Sequence, residues 1–354
     1  MRILFLADAK SYHTQRWVNY FVDRCHRCFL ITVEPGFSTR AEEFLVPSRI
    51  LPNFLKYPLS LRQVRRITGP IRPDLVNAHF VPSYGLVGAL LNIHPLVIST
   101  WGSDVLVSPQ KSWLQKFRAQ YVLKQADLVT TDARFTEEVI YNLGVEIGKV
   151  VVSPMGVERN LLDHTEKKKR PYLTILSNRK LEPLYDITTF LKAIPGVIAR
   201  AKKEVRFIIL GEGSQKGMLI SLAQKLGIEN HVEFKGAVSR EALLQYYRDS
   251  DIYISTSKSD STSVSLLEAM NFGLIPIVTD IPGNREWIKD QKNGFIFPVS
   301  DPAALAEKIS YVINEFPHWL TFRKESHIII KSKAVWEENM RVVEMAFLKL
   351  VEKN

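Results

Sequence analysis

Short, continuously apolar segments alternate with helical patterns along most of the chain, and this alternation constrains the fold more than any other feature. The predicted strands of the first half cover residues 3–7, 29–33, 75–78, 96–100, 128–131 and 150–153. Strands that are apolar throughout and are separated by helices are typical of parallel sheets covered on both faces. We therefore predict a doubly wound α/β domain.

The alternation stops at a charged run, D-H-T-E-K-K-K-R-P at residues 163–171, and then starts again. Charged, proline-containing segments are typical of linkers. The sequence thus predicts two Rossmann-like domains, residues 1–165 and 171–334, with an inter-domain cleft at the carboxyl ends of their strands. A last helix near residues 335–351 carries apolar residues at helical spacing, and we expect residues 335–354 to pack back on the first domain.

The chain has 354 residues, enough for two cores, and a net charge of +10 that favours an anionic partner. No stretch reaches the roughly 18 apolar residues of a membrane span. The first residues, M-R-I-L-F-L-A-D, contain too short an apolar core for a signal peptide. The sequence predicts a cytoplasmic protein.

A basic segment at residues 56–73 suggests a peripheral site on the inner membrane face. Its cations are Lys56, Arg62, Arg65, Arg66 and Arg72, and Leu61, Val64 and Ile67 fall on one helical face. Two interpretations stay open here: a patch that binds anionic membranes, and an ordinary solvated basic helix.

Residues 257–273, S-K-S-D-S-T-S-V-S-L-L-E-A-M-N-F-G, predict an anion-binding turn that leads into a helix. Ser265 and Glu268 fit a capping box, with Ser263 as an alternative cap, and Gly273 stands where a helix would stop. Strands at residues 251–257 and 274–279 flank this unit. Because free N–H groups and the positive dipole end gather at a helix N-terminus, we expect a phosphate there.

The same stretch carries the resemblance to a known family. The order Asp260, seven residues, Glu268, Ala-Met and a glycine before a Pro-containing strand resembles the retaining glycosyltransferases of family 4, also called glycosyl transferases group 1. Further pieces match in order: N-A-H-F at 77–80, T-W-G-S-D at 100–104, S-P-M-G-V-E at 153–158, L-G-E-G-S at 210–214, F-K-G-A-V-S at 234–239 and N-G-F-I-F-P at 293–298. The resemblance implies the GT-B fold.

It also implies roles for individual residues. Glu268 corresponds to the carboxylate that holds the ribose of the donor nucleotide, and Asp260 to the acid that contacts the donor sugar. His79 corresponds to the histidine that reaches the sugar from the first domain, and Arg179 to the arginine that neutralises the leaving diphosphate. Backbone contacts to the donor are expected from Thr262, Ser263, Val264, Ser265, Leu266 and Gly236.

The chain departs from the family pattern after Arg179. The family has a lysine a few residues later, before a glycine, whereas this chain has Tyr185 and Asp186. Lys180 is therefore a candidate for the second cation. Further candidates for ligand contacts in the first domain are Ser11 and His13, in the loop after the first strand. Asp104 is a third candidate, for which contact with the acceptor and a loop-capping role are equally open.

The resemblance implies transfer of a sugar from a nucleotide-diphosphate sugar, with UDP favoured, to a hydroxyl of a glycan or lipid-linked acceptor in cell-surface polysaccharide or glycolipid synthesis. No cofactor, metal or nucleic acid is expected. The pair Cys25 and Cys28 has no second pair to complete a zinc site. Two alternatives remain: a nucleotide-sugar epimerase of the same fold, and a non-catalytic protein that binds anionic surfaces.

Overall fold

The chain forms two compact units with separate sheets. A computed structural model describes residues 1–36, 39–47, 53–162 and 170–353. The first unit comprises Met1–Met155 together with Glu337–Asn354, and the second comprises Gly156–Trp336. The predicted linker, at residues 163–171, falls mostly outside the described residues, and the units divide about ten residues earlier than the predicted limit at residue 165.

The first unit is built on a seven-stranded parallel sheet of order β3-β2-β1-β4-β5-β6-β7. Its strands are β1 (Arg2–Leu6), β2 (Arg27–Thr32), β3 (Glu42–Leu45), β4 (Leu75–His79), β5 (Leu96–Ser99), β6 (Leu128–Thr131) and β7 (Val150–Val152). Its helices up to this point are α1 (Tyr12–Asp23), α2 (Asn53–Ile71), α3 (Leu86–Leu91), α4 (Ser103–Leu106), α5 (Trp113–Lys124) and α6 (Arg134–Asn142). A π-helical turn, Phe80–Gly85, precedes α3.

The apolar side of α2 faces the core of this unit. Val64 is 1% exposed, and Leu61 and Ile67 pack against the same buried cluster. The prediction that Leu61, Val64 and Ile67 form the apolar part of a membrane patch was therefore wrong, because an amphipathic helix lying on a parallel sheet turns its apolar stripe inward. Its cations Arg62 and Arg66 remain exposed.

The second unit is built on a six-stranded parallel sheet of order β10-β9-β8-β11-β12-β13. Its strands are β8 (Leu173–Asn178), β9 (Val205–Leu210), β10 (Val232–Gly236), β11 (Ile252–Ser255), β12 (Ile275–Thr279) and β13 (Phe295–Phe297). Its helices are α7 (Ile187–Arg200), α8 (Lys216–Lys225), α9 (Arg240–Asp249), α10 (Val264–Asn271), α11 (Pro282–Arg285), α12 (Pro302–Asn314) and α13 (Phe322–Lys333). The predicted α/β fold class, with two Rossmann-like sheets, is confirmed.

The last helix, α14 (Trp336–Glu352), packs within the first unit. Phe347 stacks on Phe21 of α1, with ring centroids 5.2 Å apart. The buried carboxylate of Glu344 accepts hydrogen bonds from Tyr20 and Arg24. Apolar stacking and charged hydrogen bonds thus fix α14 against α1.

None of the helices in the described ranges is long and apolar enough to cross a membrane.

Candidate active site

The strand order of each sheet reverses at one point, and the candidate residues follow the strands that meet there. In the second unit β8 pairs with β11, so the chain leaves the sheet on opposite sides after these two strands. Arg179 directly follows β8, and residues 256–263 connect β11 to α10. Ligands of doubly wound sheets bind at this type of position.

Arg179 is the centre of a cluster that joins the two strand ends. Its Nη1 donates to the hydroxyls of Ser263 at 2.6 Å and Ser265 at 2.9 Å, and its Nη2 pairs with Asp260. Its guanidinium carbon lies 4.5 Å from the ring centroid of Tyr185. Burial alone lowers the pKa of Arg179, but the Asp260 carboxylate more than offsets this, so the guanidinium stays charged.

The cap of α10 is Ser263, the alternative of the two predicted caps. Its hydroxyl accepts from the Leu266 amide at 3.3 Å, so this predicted backbone donor is already used within the helix. The hydroxyl of Ser265 instead contacts Arg179 and lies 2.8 Å from the Tyr253 hydroxyl. The capping box was therefore wrong, because α10 already begins at Val264, which places Ser265 inside the first helical turn rather than at the cap.

Glu268 lies in the body of α10, almost fully buried at 3% exposure. Its Oε1 is 2.6 Å from Arg240 Nη1, and Arg240 Nη2 is 3.1 Å from Glu158. Arg240 therefore links two carboxylates from different segments of the unit. This ion pair fixes the position of Glu268, while the predicted ribose contact stays a prediction.

Two glycine-containing turns shape the backbone around Arg179. Gly236 ends β10 with φ of +70°, and a Cβ there would lie 2.7 Å from Glu212 of the L-G-E-G-S turn. A Cβ on Gly213 in that turn would lie 2.3 Å from the Leu181 carbonyl oxygen. The turn therefore packs directly against the loop that follows Arg179, and Lys180 in that loop is exposed.

A third close approach lies on the other side of the cluster. A Cβ on Gly283 of α11 would lie 2.1 Å from the Ser261 carbonyl oxygen and 2.5 Å from that of Asp260. Any side chain at this position would displace the turn that carries Asp260. Neither Gly283 nor Arg240 was singled out from the sequence; the P-G-N turn after β12 is the only local signal for Gly283.

In the first unit, His79 ends β4 at the corresponding reversal, between β1 and β4. Asn77 Nδ2 donates to the Val97 carbonyl, so its Oδ1 faces Trp17 Nε1 and His79 Nε2, each at 3.1 Å. His79 Nε2 must therefore carry the proton. The other ring nitrogen, Nδ1, is buried without a hydrogen-bond partner among the described residues, and burial lowers the pKa of His79 to about 3.

The aromatic surroundings of His79 include one other predicted position, His13. Trp101 lies 5.3 Å from the His79 ring and stacks on His13 at 5.5 Å, so His13 and His79 belong to one cluster. Ser11 precedes α1 as its N-cap residue, without a side-chain cap bond. A neutral histidine with a free acceptor nitrogen suits a hydroxyl-bearing ligand.

Asp104 is fully buried in the first unit. Its oxygens accept from the backbone amides of Val81 at 3.0 Å and Trp101 at 2.9 Å. Burial raises the pKa of Asp104 to about 6. Both oxygens hold the loops after β4 and β5, so the geometry favours the loop-capping alternative over contact with the acceptor.

Two family models match the chain, one in each half. Residues 159–327 match "Glycosyl transferases group 1" and residues 2–133 match "Glycosyl transferase 4-like". The chain belongs to the group 1 glycosyltransferases. The sheets and helices of this glycosyltransferase correspond to the GT-B fold, as the resemblance implied.

Known relatives agree with this family. The GtfA subunit of the UDP-N-acetylglucosamine–peptide N-acetylglucosaminyltransferase from Streptococcus pneumoniae is 30% identical over 43% of this chain, which spans 29% of that protein. EpsD of Bacillus subtilis, named as a glycosyltransferase, is 24% identical over 77% of this chain and 76% of its own length. Anabaena HepE, solved in complex with UDP-glucose, has a TM-score of 0.82 at 18% identity and covers 99% of this chain and 100% of its own.

Proposed function

We propose that this glycosyltransferase moves a sugar, with retention of configuration, from a nucleotide-diphosphate sugar to a hydroxyl of a glycan or lipid-linked acceptor. The observation that carries the proposal is the arrangement of Arg179, Asp260, Ser263 and Ser265 at the N-terminus of α10. A buried cation beside a helix N-terminus suits the charge that grows on a departing diphosphate. UDP is the favoured nucleotide, because UDP sugars occur in the names of the GtfA relative and the HepE complex.

The pairing of Arg179 with Asp260 also suggests how the two residues divide the work. Asp260 fixes the guanidinium before substrate arrives, so little reorganisation is needed when charge develops on the phosphate. Its Oδ1, which accepts from the Ser261 amide at 3.1 Å, would also accept a hydrogen bond from a sugar hydroxyl. Because arginine and the helix dipole neutralise the diphosphate, the proposed reaction needs no metal.

Glu268 would hold the ribose hydroxyls, since an ionised carboxylate only accepts hydrogen bonds and a diol offers two donors. The Arg240 ion pair would keep Glu268 ionised and aimed during nucleotide binding. In the first unit, His79 Nδ1 would accept a hydrogen bond from a sugar hydroxyl. The departing phosphate would then take the acceptor proton on the same face, which gives retention.

The test is product analysis with purified protein, a series of nucleotide sugars and hydroxyl acceptors, followed by NMR of the anomeric proton. Retention predicts the same anomeric configuration in product and donor, and slow hydrolysis of the donor without acceptor. An inverted product would refute the retaining mechanism. Conversion of the donor to a second nucleotide sugar in the absence of acceptor would indicate epimerisation instead.

A further inference from the structure

Helix α5 of the first unit presents large apolar side chains to solvent. Trp113 is 80% exposed, Leu114 59%, Phe117 63% and Tyr121 38%. Residues 113, 117 and 121 are four apart, so they lie along one side of the helix. The opposite side, with Ala119, Val122 and Leu123, packs into the core. α5 is therefore apolar on two sides, and only one of them is used within the unit.

The cations of α5 lie on the same exposed surface. Lys116 and Lys124 are exposed, and Arg118 is partly exposed, while the helix contains no aspartate or glutamate. Exposed aromatic and leucine side chains beside lysines are the composition of helices that lie in the plane of a membrane interface. A clustered exposed apolar patch of this kind marks an interaction surface.

The neighbouring helices extend this basic surface. α3 contacts both α2 and α5, so the three helices lie side by side on one face of the sheet. Together they carry seven lysines and arginines and no acidic residue. Lys56 is paired with Glu34, but Arg62 and Arg66 of α2 are exposed. We call the exposed residues Arg62, Arg66, Trp113, Lys116, Phe117 and Lys124 the α2–α5 face.

We propose that the α2–α5 face binds the surface of an anionic lipid bilayer, with Trp113, Leu114 and Phe117 inserted at the boundary between headgroups and acyl chains. The exposed cations Arg62, Arg66, Lys116 and Lys124 supply the charge complementarity, since anionic headgroups attract basic residues near the surface. A symmetric contact between two copies would bring two uniformly basic faces together. A nucleic acid would match the charge but would offer no apolar environment for Leu114.

The test uses the full chain and vesicles of phosphatidylcholine with 0% or roughly 30% phosphatidylglycerol. We expect binding to the anionic vesicles that weakens as salt is raised. Replacing Trp113 and Phe117 together by serine should lower the partition coefficient about tenfold or more. Replacing Lys116 and Lys124 together by glutamine should lower it roughly 30-fold at low salt, and only with anionic vesicles.

Matched control variants come from exposed residues of the second unit. Met218→Ser with Ile328→Ser controls for lost apolar surface, because these side chains are 46% and 59% exposed. Lys202→Gln with Lys203→Gln controls for lost charge, as both side chains are exposed. Both controls should bind vesicles like the unmodified protein, and circular dichroism should show all four variants folded.

Quenching by brominated lipids locates the contact. We expect bromines near the headgroup boundary to quench tryptophan emission, and Trp113→Phe to remove most of that quenching while binding persists. Equal binding by the Trp113/Phe117 variant and its control would overturn the proposal. The proposal would also be overturned if the unmodified protein bound no vesicles and instead formed concentration-dependent dimers, or bound a nucleic acid preferentially, and the Trp113/Phe117 variant lost that association.

Discussion

Replacing Arg179 tests whether the cluster at the start of α10 stabilises the leaving group. Arg179→Met removes the charge and all three hydrogen bonds to Asp260, Ser263 and Ser265. Arg179→Lys keeps the charge but replaces a planar fork by a single ammonium, which cannot bridge the carboxylate and both hydroxyls in the same geometry. The two variants therefore separate the contribution of charge from that of the fork.

The structure sets the expected magnitudes. Losing one preorganised group that faces developing charge costs about 2.7–4 kcal/mol, so kcat for Arg179→Met should fall about 10²–10³-fold. Arg179→Lys loses about two hydrogen bonds of roughly 1 kcal/mol each, so its kcat should fall about 30-fold. Stability should drop by about 3 kcal/mol in the methionine variant, because the Asp260 side chain, 19% exposed, loses its cation.

Arg206 offers a matched control in the same unit. It pairs with Glu204 and lies 3.7 Å from the centroid of the Tyr172 ring, which are the same types of contact that Arg179 makes. Arg206 is nearly half exposed, and Arg206→Met should leave kcat within about twofold of the unmodified protein. Donor hydrolysis and transfer are measured by release of the nucleotide. If folded Arg179→Met kept kcat within about threefold, the leaving-group role of Arg179 would be refuted.

Three further predictions concern the surroundings of the cluster and the first unit. Gly283→Ala should lower stability by about 1–3 kcal/mol and reduce turnover, because the new Cβ meets the Asp260 and Ser261 carbonyls. Thermal melting and kcat measure the two effects, and an unshifted melting point would contradict the prediction. Tyr185→Leu should lower kcat/KM about 2- to 30-fold by removing the aromatic ring that lies against Arg179, whereas Tyr185→Phe should keep nearly normal kcat/KM. An equal loss in both variants would show that the ring contact does not contribute to kcat/KM. The depressed pKa of His79 means that the folded state binds fewer protons than the unfolded state between about pH 3 and pH 6.5. Lowering the pH from 7 to 5 should therefore cost the unmodified protein about 2 kcal/mol more than His79→Gln in urea unfolding, and equal losses would contradict it.

The alternation of apolar strands and helices was sufficient to predict both sheets. Strand β6 begins and ends at the predicted residues, and β4, β5 and β7 differ from the predicted ranges by one residue each, because continuous apolar runs are local signals. Strand β3 was missed, since Glu42–Leu45 is short, carries two glutamates and is only partly buried. Its place at the edge of the sheet depends on pairing with β2, which no local pattern encodes.

The candidate site shows the same limit. The sequence predicted an anion site at the start of α10, but assigned the cap to Ser265 as well as to Ser263. The helix begins at Val264, so Ser263 is the cap, and the Ser265 hydroxyl instead contacts Arg179, which is more than 80 residues away in sequence. Likewise, the pairing of Glu268 with Arg240 joins helices α9 and α10, so only the folded unit reveals it.

The most direct test of the proposed donor site compares the binding of UDP and 2′,3′-dideoxy-UDP by isothermal titration calorimetry. The unmodified protein should bind UDP more tightly than 2′,3′-dideoxy-UDP by about 1.5–3 kcal/mol, because the dideoxy nucleotide lacks the ribose hydroxyls that would donate hydrogen bonds to Glu268. Glu268→Gln should lose most of that preference. This substitution leaves the contact between Arg240 and Glu158 in place. If the unmodified protein bound both nucleotides equally, or Glu268→Gln kept the full preference for UDP, the ribose would not lie on Glu268 and the proposed donor site would be contradicted.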